Sequence, residues 1–463
     1  MITRILPALF AAVSTAAIAQ PAPPPVQLPS YVAALRDAAL KDDLAWDITE
    51  GLTTEVGQRL AGTEAEARAR AWAVAKLRSL GFANVRIETF DMPVWVRGAE
   101  SATIVSPFPQ KLVLAALGNS GATPPEGIEA EVVSFDSLDA LRAAPDALVR
   151  GKIVFVSHAM PRTQDGSGYG EFGAPRRQGP SIASRKGAAA IVIRSIGTDY
   201  HRNPHTGVQR FEDGVAPIPA AALSLPDAEQ LQRIIKRANG QPVRMRLVLT
   251  PRNIGTRQSG NVIAEVPGRD PSLPPILVGG HLDSWDLGTG AIDDASGVAI
   301  TTAAAKRIMD AGRPLRTIRI VWFGAEEVGL YGGIDYMKRY GGKPHYAVAE
   351  SDFGADRVWR VKTRLGDARK AEAAALRRAL LPLGIVPGAE DEGEGSDITP
   401  LVEAGQPVVE LSQDGTHYFD LHHTPDDTLD KINPEALRQN VAAWTTMLAV
   451  LSGGLEPIRR PRR

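Results

Sequence analysis

The segment Pro275-Ile276-Leu277-Val278-Gly279-Gly280-His281-Leu282-Asp283-Ser284 decides the fold. An apolar run this short, bounded by Pro and Gly, reads as a buried strand rather than a helix. It stops at a histidine and an aspartate. The loop beyond it continues to Ile292-Asp293-Asp294-Ala295-Ser296-Gly297, where a helical pattern opens and extends to residue 309.

Residues 262–266, 317–323, 346–350 and 407–411 are further strand-like runs, with helical stretches at 296–309 and 371–381. Strands alternating with helices predict an α/β domain on a mixed, mostly parallel, doubly wound sheet. In such sheets ligands bind beyond the carboxyl ends of the strands. Four strands end in titratable residues: the first at His281, the next at Gly324-Ala325-Glu326-Glu327, then Ser351-Asp352, then a loop reaching His422-His423-Thr424-Pro425-Asp426-Asp427-Thr428. Right-handed crossovers bring those ends to one edge of the sheet.

Composition limits what that edge can hold. With no cysteine in 463 residues, thiol chemistry, disulfides and thiolate metal sites are excluded, and any metal must sit on His, Asp or Glu. His281, Asp293, Glu327, Asp352 and His423 form a convergent oxygen and imidazole set, with one carboxylate able to bridge. That set suits a two-metal hydrolase. Its three carboxylates repel one another unless cations are bound. Lys plus Arg total 52 against 53 Asp plus Glu, so no global charge excess points to nucleic acid.

The rest of the chain frames this region. Residues 5–18 are apolar, and Ala17-Ile18-Ala19 is a small-x-small cleavage signal. Residues 1–19 therefore read as a signal peptide, and the protein as exported, periplasmic or secreted, with no stable membrane insertion after cleavage. A Pro-rich lead follows. Thr63 and Glu66 predict a capping box for a helix ending at Gly81, followed by a strand over 85–90. Residues 20–105 and 252–463 thus read as two parts of one catalytic domain. Between them, 106–251 carries short strand candidates at 112–117, 130–135, 152–156, 189–193 and 243–249, and reads as an inserted, mostly β domain. Asn433-Pro434 starts the last helix, and an Arg-rich tail follows Pro457.

Gly280-His281-Leu282-Asp283-Ser284-Trp285-Asp286 and Gly290-Ala291-Ile292-Asp293-Asp294, taken with the later acidic and His pairs, resemble the di-zinc exopeptidases of clan MH, the family of bacterial leucyl aminopeptidases and carboxypeptidase Q. The middle section is similar to the protease-associated domain inserted in that family. The resemblance implies two zinc ions and a short peptide substrate. His281 and Asp352 would hold one ion, Glu327 and His423 the other, with Asp293 bridging. Glu326 would be the general base. Asp283 would orient His281, and a cis peptide would follow Asp293, leaving Asp294 as a supporting residue. Some relatives carry Tyr where this chain has His422, which makes His422 the candidate oxyanion donor. A homodimer is also implied. Two alternatives on the same fold are a receptor-like binding protein and an acyl-transfer enzyme of glutaminyl cyclase type; the complete ligand set argues against both.

Other residues read as structural. His201 and His205 are separated by Pro204, which breaks a helical ligand pair. His158 and His345 read as loop or scaffold residues, His417 as surface, and Asp397 as a cap or scaffold residue. No G-x-S-x-G elbow is present, which disfavours a serine hydrolase.

Overall fold

Alternating apolar residues give the main sheet two buried faces. In the computed structural model, which describes residues 28–456, Val262, Ala264 and Val266 enter one core and Ile263 the other. Ile318, Ile320 and Trp322 oppose Val321 and Phe323 in the same way. A sheet apolar on both faces needs cover on both. Helices Ser296–Ala311 and Pro434–Leu451 pack on one face; Tyr331–Tyr340 and Thr399–Glu403 pack on the other. The leader and the Arg-rich tail lie outside the described residues.

The main sheet has eight strands in the order Ala83–Val96, Arg252–Val266, Ile318–Phe323, Ile276–His281, Ala347–Glu350, Val408–Gln413, Val358–Arg364 and Val386–Glu390. The four strands from Ile318–Phe323 to Val408–Gln413 are mutually parallel, and antiparallel pairings flank them. The sheet is thus the mixed one expected, and its parallel centre is the part that carries the ligand-bearing ends.

Local chemistry explains the helix ends. Thr63 Oγ1 accepts the Glu66 N–H at 3.4 Å to start Glu64–Ser79, and Gly81 supplies the positive φ (+87°) that ends the turn. The reciprocal half of the expected capping box is absent. The Glu66 carboxylate is buried and pairs with Arg70 at 2.7 Å. Asn433 Oδ1 caps Pro434–Leu451 by accepting the Glu435 and Ala436 N–H groups at 2.8 and 3.2 Å.

A second eight-stranded sheet is built entirely from strands between Glu100 and Leu249. Its texture corrects the expectation of a mostly β segment. Helices Ala174–Arg185 and Leu225–Ala238 run between its strands, and Ile153–Val156, Ala190–Arg194 and Ala220–Leu223 pair in parallel. Parallel pairing requires crossovers: Ala174–Arg185 lies in the one from Ile153–Val156 to Ala190–Arg194, whereas residues 195–219 return to Ala220–Leu223 without a helix. Pro175 and Pro180 fall within Ala174–Arg185, which hides that helix in the sequence.

Candidate metal centre

Each titratable residue at the sheet edge is placed by a strand end. His281 is the last residue of Ile276–His281. Glu326 and Glu327 follow Ile318–Phe323 through a tight turn in which Ala325 takes φ +60°. Asp352 lies two residues past Ala347–Glu350. His422 and His423 follow the short helix Tyr418–Leu421. Asp293 lies in the turn Ala291–Ala295 that opens helix Ser296–Ala311, and the Asp293–Asp294 peptide is cis.

These side chains meet around Asp293. His281 Nε2 lies 2.9 Å from Asp293 Oδ1 and 3.4 Å from Asp352 Oδ1. On the other side, His423 Nε2 lies 3.3 Å from Asp293 Oδ2 and 2.9 Å from Glu327 Oε2. One carboxylate thus turns its two oxygens to two separate donor groups. A tetrahedral ion with bonds of about 2.0–2.1 Å sets its donor atoms about 3.3 Å apart, close to these spacings. Buried Asp293 Oδ2 and Glu327 Oε1 have no hydrogen-bond partner, as atoms reserved for a cation would not. Three overlapping triads, Asp293-His422-His423, His281-Asp293-Glu327 and His281-Asp294-Asp352, each present donor atoms within 4.8 Å of one another. The residues present therefore fit two zinc ions.

Hydrogen bonds sort the neighbours of this set. His281 Nδ1 faces the Asp283 carbonyl oxygen at 2.9 Å, and His423 Nδ1 faces the Thr206 carbonyl oxygen at 3.3 Å. A carbonyl there holds the N–H on Nδ1 and leaves the Nε2 lone pair toward the cluster. His422 lacks such a partner: its Nδ1 is buried and unbonded, and its ring stacks on His423 at 3.5 Å between centroids. Its Nε2 is 3.5 Å from Asp293 Oδ2. Asp294 is occupied by scaffolding, accepting the His281 and Gly297 N–H groups at 3.0 Å each.

Asp283 requires a correction. Its carboxylate does not bond the His281 ring; the separation is 3.8 Å, and the main-chain carbonyl does that work instead. The carboxylate Oδ1 accepts the Glu326 N–H at 3.0 Å. The tight turn out of the strand brings the Glu326 amide over Asp283, and a carboxylate is the acceptor that a buried amide needs there.

Electrostatics point the same way. Burial pushes the Asp293, Glu326 and Glu327 carboxyls above their ordinary range, and neighbouring carboxylates add to the shift. Burial holds His422 and His423 well below the usual imidazole value, with the neighbouring His422 ring adding to it for His423 and the Arg176 charge for both; this favours the neutral ring that metal binding requires.

Two supports had no signal in the sequence. Arg59 is fully buried and donates to the carbonyls of Leu282, Thr289 and Gly290, pinning the loop between His281 and Asp293. Asp427 Oδ1 accepts the Ala291 and Ile292 N–H groups at 2.8 and 2.7 Å, fixing the approach to Asp293. The partners of both are main-chain groups, which a residue pattern does not display.

The residues read as structural keep to that. Asp397 is buried and accepts the Gly333 N–H at 3.0 Å, so it caps helix Tyr331–Tyr340 rather than its own. His205 pairs with Asp199 at 3.1 Å, and His417 pairs with Asp420 at 3.2 Å on the surface. The catalytic-edge residues open on a cleft of about 630 Å³ whose wall includes Tyr169 and Arg176 from the second sheet's segment.

Comparison with known proteins agrees with this geometry. The model of peptidase family M28 matches residues 261–448. Carboxypeptidase Q of Bos taurus is 34% identical over 405 residues, covering 87% of this chain and 84% of that protein. The human protein of that name is 34% identical over 413 residues, covering 88% and 85%. The crystal structure of a peptidase M28 precursor from Shewanella amazonensis superposes with a TM-score of 0.89 at 46% identity, covering 94% of this chain and 98% of that one. With a sheet edge shaped for two cations and similarity along most of its length, the chain belongs to peptidase family M28 and is a zinc-dependent metallo-exopeptidase.

Proposed function

We propose that the chain is an exported exopeptidase that hydrolyses short peptides, dipeptides among them. The carrying observation is Asp293, which offers Oδ1 to the His281 side and Oδ2 to the His423 side of one buried cluster. His281 and Asp352 would hold one zinc, Glu327 and His423 the other. Bound there, the two ions supply Lewis acidity to a water and to the scissile carbonyl.

This chain's residues supply the proton transfers. Glu326, held by its own amide on Asp283 and with its carboxyl pushed up by burial, takes a proton from the attacking water. It then gives that proton to the leaving amine, so the peptide bond is replaced by an acid and a free amine. Neutral His422 keeps one N–H to donate to the developing oxyanion.

The rest of the reading rests on sequence and resemblance. The small-x-small signal at Ala17-Ile18-Ala19 supports export. The second sheet, which walls one side of the cleft, supports a protease-associated domain that narrows access to short substrates. Near-balanced charge speaks against a nucleic-acid partner. Among the described residues no helix is long and apolar enough to cross a membrane. Homodimerisation follows from resemblance alone and is tested by sedimentation.

The deciding experiment combines metal analysis with a peptide panel. Two zinc ions per chain and cleavage of unblocked di- and tripeptides are expected. Fewer than one zinc per chain, or efficient cleavage of long peptides blocked at both ends, would overturn the reading.

A further inference from the structure

Arg176 is 5% exposed, lines the catalytic cleft, and among the described residues has no carboxylate within ion-pair distance. Its Nη1 donates to the Thr206 carbonyl at 3.3 Å and the group also interacts with the Tyr169 hydroxyl, while its Nε is buried without a partner. Burying a guanidinium is costly unless it is paired. The other buried arginine near the centre, Arg59, is saturated by carbonyls. Arg210, on the same cleft, is exposed and keeps its hydration.

The surroundings are built to hold the Arg176 group in place. It lies over the Tyr169 ring at 5.3 Å, and the Tyr169 ring meets His422 edge-on at 5.1 Å. A Cβ at position 207 would fall 2.1 Å from Nη1, so Gly207 leaves the guanidinium its room. The Thr206 carbonyl that receives Nη1 also faces His423 Nδ1. The cation therefore sits one carbonyl away from a metal-ligand candidate. An extended residue spans only about 3.3–3.6 Å, so an anion held here is close to the reacting bond.

We propose that Arg176 binds the free α-carboxylate of the substrate's last residue, making the enzyme select peptides by their carboxyl end and release one C-terminal residue. The occupant is a carboxylate because a fork of N–H donors matches its two oxygens. The assignment rests on the reading of this site as a short-peptide exopeptidase and adds which end it recognises. The second sheet's segment then contributes a specificity-determining side chain as well as a wall.

The test compares unblocked dipeptides with their C-terminal carboxamides on zinc-loaded wild type, Arg176→Gln and Arg176→Lys, with zinc content and melting temperature checked in each. The wild type is expected to favour the acids by about 10²-fold in kcat/KM, the scale of a buried charge-assisted pair. Arg176→Gln should lose that preference mainly through KM, the acids falling far more than the carboxamides. Arg176→Lys, which keeps the charge and loses the fork, should fall between. Wild-type indifference to the carboxamide overturns the proposal, whether or not any variant folds. Equal losses on acid and amide also overturn it, since Arg176 would then act on the reacting centre or on the fold. If wild type cleaves neither series, the exopeptidase reading fails. Competition calorimetry with free amino acids and their amides then tests the anchor separately, and equal affinity of wild type for both sinks it.

Discussion

Asp283 holds Glu326 rather than His281: its carboxylate Oδ1 accepts the Glu326 main-chain N–H at 3.0 Å and stands 3.8 Å from His281 Nδ1. Two substitutions separate these roles. Asn at position 283 keeps an oxygen for the amide and leaves the main-chain carbonyl facing His281, so Asp283→Asn is expected to retain zinc and most turnover. Asp283→Ala strands a buried N–H, at a cost of about 1–3 kcal/mol, and frees the turn that aims Glu326. Its turnover should fall by at least about 10-fold, the scale of a mis-set positioning contact, with zinc affinity nearly unchanged. A large zinc loss in Asp283→Asn, read by metal competition, would show that the carboxylate serves His281 after all.

Glu326→Gln isolates the proton transfer. The amide fills the same space and removes the base, while the main-chain bond to Asp283 stays. Folding and zinc content should be unchanged and kcat should drop by at least about 10²-fold, the lower end of general-base contributions. A near-normal kcat would remove Glu326 from the mechanism.

Much of this site was legible because each ligand candidate follows a strand that announces itself. Residues 275–280 are apolar and flanked by turn formers, so His281 falls at a predictable sheet edge; Glu326, Glu327 and Asp352 follow by the same argument. Residues acting through main-chain partners were not legible. Arg59 lies between helices with no pattern around it, and the loop carbonyls it pins, on Leu282, Thr289 and Gly290, belong to residues more than 200 positions away. Asp283 was placed correctly in space but given the wrong atom, since a residue pattern does not separate a carboxylate from the carbonyl of the same residue. The second sheet's helices were hidden in part by Pro175 and Pro180, and Arg176 went unremarked because its role depends on the fold bringing Thr206 beside it.

Arg59→Met tests the loop scaffold. Three carbonyls, on Leu282, Thr289 and Gly290, lose their donor inside a buried loop. A loss of about 3 kcal/mol or more is expected, in line with breaking buried charged hydrogen bonds. Because the loop sets the spacing between His281 and Asp293, zinc affinity should weaken in parallel. Denaturant unfolding and metal competition read the two effects. A stability change under about 0.5 kcal/mol, the ordinary surface scale, would contradict the role.

Zinc removal should lower stability reversibly. The carboxyls of Asp293, Glu326 and Glu327 are pushed up by burial and by each other, and cations relieve that repulsion. A ligand at 100 times its dissociation constant stabilises by about 2.7 kcal/mol per site. Chelation should therefore depress the melting temperature, and readdition should restore it in full at two equivalents. Recovery complete at one equivalent would count against a two-ion centre.

His345 offers a pH test away from the metal centre. Its ring is buried, and Nε2 lies 3.1 Å from the Tyr336 hydroxyl. That hydroxyl accepts from Arg319 Nη1 at 3.3 Å, so its own proton is free to donate to Nε2. Protonating the ring would replace an acceptor with a donor facing a donor. Burial first, then the nearby Arg319 charge, pushes the His345 value down to about 4 from an ordinary 6.5. The sign follows from linkage: between pH 6.5 and 4 the unfolded chain binds a proton that the folded chain refuses, so stability falls as pH falls through that window. The full effect is about 3 kcal/mol at most. Gln at this position offers Tyr336 an oxygen acceptor and carries no charge at any pH. Stability curves of wild type and His345→Gln should therefore converge as pH is lowered from 6.5 to 4, with the wild type losing more. Zinc release at low pH affects both proteins alike and cancels in the difference. Parallel curves across the window would show that His345 is not held neutral by the fold.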